Sequence, residues 1–375
     1  MNDEKRFYNV NPIIEYARKI NCPFIGIAGG KGNGKTYGLI EWALHQYFET
    51  GRCLRYLRRY AESIKPKAIQ SLCKPQRQTL INLSGGRFND FSYYQNRFYP
   101  VRIDEHGKKV EKGAAFIICS ALNSVEAFTG ADEGECSAIF YDEFLSREKE
   151  LDDEYYNTMI FHNNCVRNRT DYFCPFFLVG NTVTRNSALI KDFGVNLYDM
   201  KQGEITLVKN SDDKPVIVFE LCSAVEVMTE AAETYYNRFN NNDRIKMIYK
   251  GDWTIANYPH MKNVKNSKVY ARIKIITPDN KAIMFEFRHV SNKKIFGYVS
   301  EYDNDKLPKL CTLLNGTFLT GYDVFNYLPQ KGIFKKFIYL VYTKQVYFSN
   351  NETGEKFRDF LKGFNGCEHI STVYK

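Results

Sequence analysis

The chain has 375 residues, 44% of them hydrophobic and 25% charged, with a net charge of +9. That length and balance allow two domains with cores of their own and exclude wholesale disorder. No apolar run approaches the roughly 18 residues of a membrane span, and Met1-Asn2-Asp3-Glu4-Lys5-Arg6 lacks the apolar centre of a signal peptide. The expectation is a cytoplasmic protein without a membrane segment. The ten cysteines show no C-x-x-C spacing and read as reduced core thiols, because a disulfide framework belongs to short secreted chains. The six histidines are dispersed and give a zinc site little support.

The charge is unevenly placed. From Met261 to Lys375 there are 19 Lys+Arg against 10 Asp+Glu, which leaves 33 of each in residues 1–260. A basic C-terminal third is either a solvated surface or a domain that meets a polyanion.

In chain order, the first 200 residues alternate short apolar runs with helical patterns, the signature of an α/β sheet. Pro23–Ala28 reads as a buried strand, and Tyr37–Thr50 as a helix with Leu39, Ile40, Ala43, Leu44 and Phe48 on one face and Gly51 after its end. Further strands are expected at Cys53–Leu57, Ala114–Cys119, Ser137–Tyr141 and Pro175–Val179. The last two run into Asp142-Glu143 and Asn181, and parallel sheets place their chemistry at such strand ends. Ala224–Tyr249 has a mostly helical pattern, so residues 206–260 are expected to form a helical connector after a first domain at 1–205. From 261 onward the period-two alternation predicts strands at Lys268–Ile276, Ala282–His289, Lys294–Tyr302 and Phe337–Phe348, then a capped helix over Asn351–Phe364. This last domain, 261–375, is expected to be β-rich α+β.

Between the first strand and the first long helix stands Gly29-Gly30-Lys31-Gly32-Asn33-Gly34-Lys35-Thr36, a complete P-loop pattern in the context it requires. Its glycines let successive N–H groups turn around phosphates, and the following helix points its positive end at the same anion. The expected ligand is ATP with Mg2+. Lys35 would reach the β- and γ-phosphates, and the Thr36 hydroxyl would meet the metal.

Downstream, Ala138-Ile139-Phe140-Tyr141 ends in Asp142-Glu143. Two tandem acids suit a division of labour in which Asp142 holds the Mg2+ and Glu143 orients and deprotonates the attacking water. A kinase needs no such base, and the guanine-reading Asn-Lys-x-Asp motif does not occur. The pair points to ATP hydrolysis driving work. Arg167 and Arg169 fit an arginine that stabilises γ-phosphate charge on a neighbouring subunit; a plain surface role fits them equally. Asn181 could sense the γ-phosphate or simply make a turn. Lys65, Lys67, Lys74 and Arg77 follow Arg58-Arg59-Tyr60 and could touch a DNA backbone or form a solvated face.

These residues, together with Phe7-Tyr8-Asn9, Tyr56-Leu57-Arg58-Arg59-Tyr60, Ser120-Ala121-Leu122-Asn123, the Phe140–Phe144 stretch and Gly180-Asn181, make the N-terminal half resemble the genome-packaging ATPases of phi29-type tailed bacteriophages. That family belongs to the RecA-like ASCE P-loop ring ATPases, related to FtsK- and HerA-type translocases. Lys31 departs from it, since the family has arginine there; the charge is kept and the planar fork is lost. The resemblance implies a homo-oligomeric ring, a pentamer by analogy, docked on the phage portal (connector) and threading double-stranded DNA into a procapsid. It leaves a structural RNA partner open, and it implies a place in the host cytoplasm, transiently at the portal vertex, outside the mature virion. It also implies a degenerate, ribonuclease H-like nuclease as the C-terminal domain. The residues agree on one point, because a two-metal nuclease needs carboxylates converging on ions about 4 Å apart and the strands at Lys268–Ile276 and Lys294–Tyr302 carry no such cluster. Two other readings remain on the sequence: a cellular-type ring translocase or helicase, and a nucleic-acid-binding protein that uses ATP as a switch.

Overall fold

The computed structural model describes residues 8–128, 135–146, 150–151, 153–166, 172–222, 258–260, 264, 266–277, 281–290, 295–303, 311–313, 323–324 and 332–362. The chain divides into two compact units, the first reaching to Trp253 and the second running from Thr254 to the end.

In the first unit α1 (Asn11–Lys19) precedes β1 (Phe24–Gly29), α2 (Lys35–Thr50) and β2 (Cys53–Arg58). Two short helices follow, α3 (Pro66–Ile69) and α4 (Arg77–Leu83), and then a meander of β3 (Asp90–Tyr94), β4 (Arg97–Ile103) and β5 (Lys109–Lys112). β6 (Ile117–Ala121), β7 (Cys136–Asp142), α5 (Glu154–Val166), β8 (Phe176–Asn181), α6 (Ala188–Asp192), β9 (Glu204–Lys209) and β10 (Pro215–Leu221) complete the unit. The sheet order is β3-β4-β6-β2-β7-β8-β1-β10-β9, with β5 on β4. Its centre, β6-β2-β7-β8-β1-β10, is entirely parallel.

Alternation along these strands supplies two cores. Ile25, Ile27, Tyr56, Phe140, Phe177 and Val218 pack on one face with α1 and α2 residues such as Ile14, Leu39 and Ala43. Phe24, Leu57, Ile139, Phe176 and Phe219 face the other way, towards Phe161 of α5 and Leu189 and Ile190 of α6. A parallel sheet covered on both faces must be apolar throughout, and the six residues of β1 and the seven of β7 are all buried.

The expected connector is corrected here. Of residues 206–260, the segment Pro215–Leu221 pairs in parallel with β1, and β9 pairs antiparallel with it. Ile217, Val218 and Phe219 are fully buried, so this apolar run is a sheet strand belonging with the P-loop strand. The helical pattern at 224–249 lies outside the described residues.

The second unit has β11 (Lys268–Ile276), β12 (Ala282–His289), β13 (Ile295–Glu301), β14 (Cys311–Leu313), β15 (Asp323–Val324), α7 (Ile333–Tyr342), β16 (Val346–Phe348) and α8 (Asn351–Lys362). The sheet order is β15-β14-β11-β12-β13-β16. β11, β12 and β13 form an antiparallel meander, β14 runs parallel to β11, and β15 parallel to β14. Ile273, Phe285, Phe287 and Val299 pack on Phe337, Leu340, Phe357 and Phe360. The strand expected at Phe337–Phe348 is instead a helix ending at Tyr342, followed by a three-residue strand. Aromatic and branched residues there favour strands locally, but burial of Phe337, Leu340 and Val341 follows the i, i+3, i+4 spacing of a helical face, and packing overrides propensity.

Candidate active site

β1 delivers the chain into the glycine loop. Gly32 and Gly34 take φ of 82° and 92°, a left-handed backbone that a side chain would resist, and Gly34 is the N-cap of α2. At Gly29 a Cβ would lie 2.2 Å from the Cys222 sulfur, so the strand end admits no side chain. The loop is stitched down by neighbours. The Asn33 amide donates to Cys222 Sγ at 3.1 Å, that thiol donates to the Ala28 carbonyl at 3.0 Å, and the Tyr8 N–H donates to the Asn33 carbonyl at 2.8 Å.

Lys35 is 4% exposed. Its ammonium donates to the carbonyls of Gly29 (3.1 Å) and Gly30 (2.8 Å), to Asn33 Oδ1 (3.0 Å) and, more loosely, to Asn181 Oδ1 (3.4 Å). Burial pulls its pKa down to about 8, against the opposing pull of Cys222 and Asp142. Asn181 reaches the loop because β8 and β1 are in register, with Gly29 opposite Asn181. Thr36 is half-buried, and Lys31 and Gly32 are exposed on the loop.

Asp142 ends β7 with its carboxylate buried. It accepts the Tyr56 hydroxyl at 2.8 Å and the Glu143 N–H at 3.1 Å, and lies 3.7 Å from the Arg58 guanidinium. Burial raises its pKa, while Arg58 and the Tyr56 hydroxyl act to lower it. The next residue, Glu143, adopts φ 59°, a costly backbone for a non-glycine that concentrates at functional sites. Its side chain is 55% exposed and forms an ion pair with Arg58.

A fully buried network braces this edge. Arg59 donates through Nε and Nη2 to both oxygens of Glu154 at 2.9 Å, and to the Phe144 carbonyl. The Tyr141 hydroxyl (2.6 Å) and the Leu151 N–H (2.9 Å) complete the carboxylate. The ends of β2 and β7 and the start of α5 are thereby joined. The sequence pattern assigns no task to Tyr56, Arg58, Arg59, Glu154 or Cys222; the run Tyr56–Tyr60 enters only through the family resemblance.

No protein-family model matches the chain, and no curated protein matches it by sequence. Solved structures do. A chain of the bacteriophage Phi-29 viral genome packaging motor assembly aligns with 16% identity and a TM-score of 0.51, covering 95% of this chain and 99% of that one. The two chains share a fold. The Phi-28 gp11 DNA packaging motor (TM-score 0.46, 16% identity, 96% and 98% covered) and the N-terminal domain of the DNA packaging ATPase from bacteriophage phi29 (0.43, 17%, 57% and 95%) also align.

Of the other expected site residues, Arg167 and Arg169 lie outside the described residues. Lys65, Lys67 and Lys74 are exposed on the segment after β2. Arg77 is not available in the same way, because it holds Asp90 through two contacts of 2.6 and 2.5 Å. Among the described residues no helix is long and apolar enough to cross a membrane, and no group of three or more His, Cys, Asp or Glu could hold a metal ion.

Proposed function

We propose that this chain is an ATP-hydrolysing motor that drives double-stranded DNA into a phage procapsid. The observation that carries the reading is the convergence of the P-loop lysine with Asn181, Asp142 and Glu143 along the carboxyl ends of β1, β8 and β7. The packaging-motor fold over 95% of the chain supports it.

The residues suit a triphosphate. The glycine loop offers backbone N–H groups at a helix start, and Lys35 carries the ammonium that answers phosphate charge. Thr36 and Asp142 are the residues that would hold Mg2+, and a buried carboxylate with a raised pKa is a group that gains from a cation. When bound, the ion supplies charge neutralisation on the phosphate oxygens. Glu143 orients the water and takes its proton once released from Arg58, and Asn181 reports on the γ-phosphate. Arg167 or Arg169 acts on the neighbouring subunit's nucleotide in a ring, five-membered by resemblance, seated on the portal with or without a structural RNA.

The second unit is the ribonuclease H-like part without nuclease activity, and its three-stranded antiparallel meander extended by parallel strands supports that assignment. The positive surplus of residues 261–375 suits a DNA backbone, and, taken separately, Lys65, Lys67 and Lys74 of the first unit offer exposed charges to the same kind of partner.

The test is phosphate release by the full chain with ATP, Mg2+ and linear duplex DNA, run beside a strand-separation assay. DNA-stimulated turnover without unwinding is expected. Unwinding would replace the proposal with a helicase, and nucleotide-gated DNA binding without turnover would replace it with a switch.

A further inference from the structure

Four cysteines far apart in sequence meet at the end of the first sheet opposite the P-loop. Cys53 opens β2 and Cys136 opens β7, where the two are register partners. Cys165 lies in the last turn of α5, and Cys174 stands two residues before β8. Cys53, Cys136 and Cys165 are buried, while Cys174 is half-buried. The sulfurs of Cys136 and Cys174 are 3.6 Å apart, and the Cys165 thiol hydrogen-bonds to Cys136. The Tyr172 hydroxyl donates to the Cys136 carbonyl at 3.1 Å, and Arg52 stacks 3.5 Å over the Tyr172 ring.

We propose that Cys136 and Cys174 form a peroxide-sensitive dithiol that closes to an intramolecular disulfide. Two sulfurs at van der Waals contact, one at the start of β7 and the other just before its parallel neighbour β8, need only small side-chain rotations to reach bonding distance. Cys174, the more accessible of the two, takes the oxidant first. Its sulfur gains an S–O bond as the peroxide O–O bond breaks, giving a sulfenic acid and one water. The Cys136 sulfur then attacks Cys174, the S–S bond forms, and the second water leaves with the thiol proton. Two thiols lose two electrons and one hydrogen peroxide is reduced to two waters. The bond ties the base of β7 to the entry of β8, just downstream in the chain of Arg167 and Arg169. Transient disulfides of this kind are the form that reducing compartments permit. Closure needs no nucleotide chemistry, so its outcome is independent of the hydrolytic reading.

The experiment treats the reduced full chain with graded hydrogen peroxide, blocks remaining thiols with N-ethylmaleimide, and maps peptides without reduction. The expected result is a loss of two blockable thiols and a 136–174 linked peptide lighter by two hydrogens than its parts, released by dithiothreitol. The link should persist in Cys165→Ser and vanish in Cys174→Ser. An unchanged thiol count in the wild-type chain would overturn the proposal. So would Cys174 running on to sulfinic acid, or Cys136 linking to Cys165 instead.

Discussion

The two sheets each bury a carboxylate on a strand, and they treat it in opposite ways. Asp142 in the first sheet has a hydroxyl, one backbone N–H and an arginine at 3.7 Å. Glu286 in the second, 5% exposed, is held by Arg272 at 2.9 Å and Arg288 at 2.6 Å from either side. The first acid has one arginine, at 3.7 Å, with the Lys35 ammonium acting on it from the loop. The second is neutralised by two arginines of its own sheet. A buried acid keeps a charge that a cation can answer only where the fold leaves it incompletely paired. The left-handed Glu143 next to Asp142 has no counterpart among the described residues of the second unit except Lys344 (φ 56°), which makes the turn between α7 and β16.

The comparison breaks most sharply at Glu143. Replacing it with Gln keeps size and polarity but removes the base, so turnover should fall by at least about a hundredfold with nucleotide binding retained. Filter binding of labelled ATP beside phosphate release checks both halves, and near-normal turnover would take the water-activating role away from this residue. Lys35→Ala should lose the binding itself.

The Arg59–Glu154 pair tests a third arrangement, a satisfied pair inside the first unit. Their side chains are 7% and 1% exposed. Arg59→Ala leaves a buried carboxylate unanswered, which costs about 3–5 kcal/mol, read as a shift of the urea midpoint. A loss below about 1 kcal/mol would mean that water or another cation already reaches Glu154.

Lys35 gives a pH signature. Its pKa in the folded chain lies near 8, below the ordinary 10.5. Triphosphate favours the ammonium, so above pH 8 binding must take up a proton and affinity should weaken as pH rises, by at most about tenfold per unit. Calorimetry in buffers of different ionisation heat measures that uptake. For folding alone the sign is opposite. The unfolded chain binds the proton more tightly, so this group's contribution to stability rises between pH 8 and 10.5. Affinity flat across that window would place the ammonium elsewhere.

Smallest of all should be the effect of the second sheet on chemistry. Wild-type protein should show no Mg2+- or Mn2+-dependent DNA cleavage, and Glu286→Gln should leave phosphate release within about twofold, because two arginines already answer that charge. Metal-dependent nicking abolished by Glu286→Gln would erase the contrast between the sheets.

The P-loop, its flanking strand and helix and the tandem acids were legible in the sequence, because each rests on local rules. Glycines supply the turn, apolar runs make buried strands, and a helix start binds anions. The β11–β13 meander was legible for the same reason, its side chains alternating between two unlike faces. Longer-range assignments were not. β10 stands nearly two hundred residues from β1 and joins it only because the sheet needs a parallel neighbour there. The helix at Ile333–Tyr342 is written in strand-forming residues and decided by the face it buries. Tyr56, Arg58 and Arg59 stand together at the end of β2, but the acids they hold, Asp142, Glu143 and Glu154, come from the end of β7 and the start of α5, and no spacing relates the two sets. The sequence by itself determined that a glycine-rich loop between a strand and a helix and a pair of tandem acids exist, since glycine conformation and side-chain chemistry are local. Only tertiary structure decided that Asp142 is incompletely answered, that Glu286 is neutralised, and that four dispersed thiols share one sheet end. Burial and charge pairing depend on what the rest of the chain places within a few ångströms.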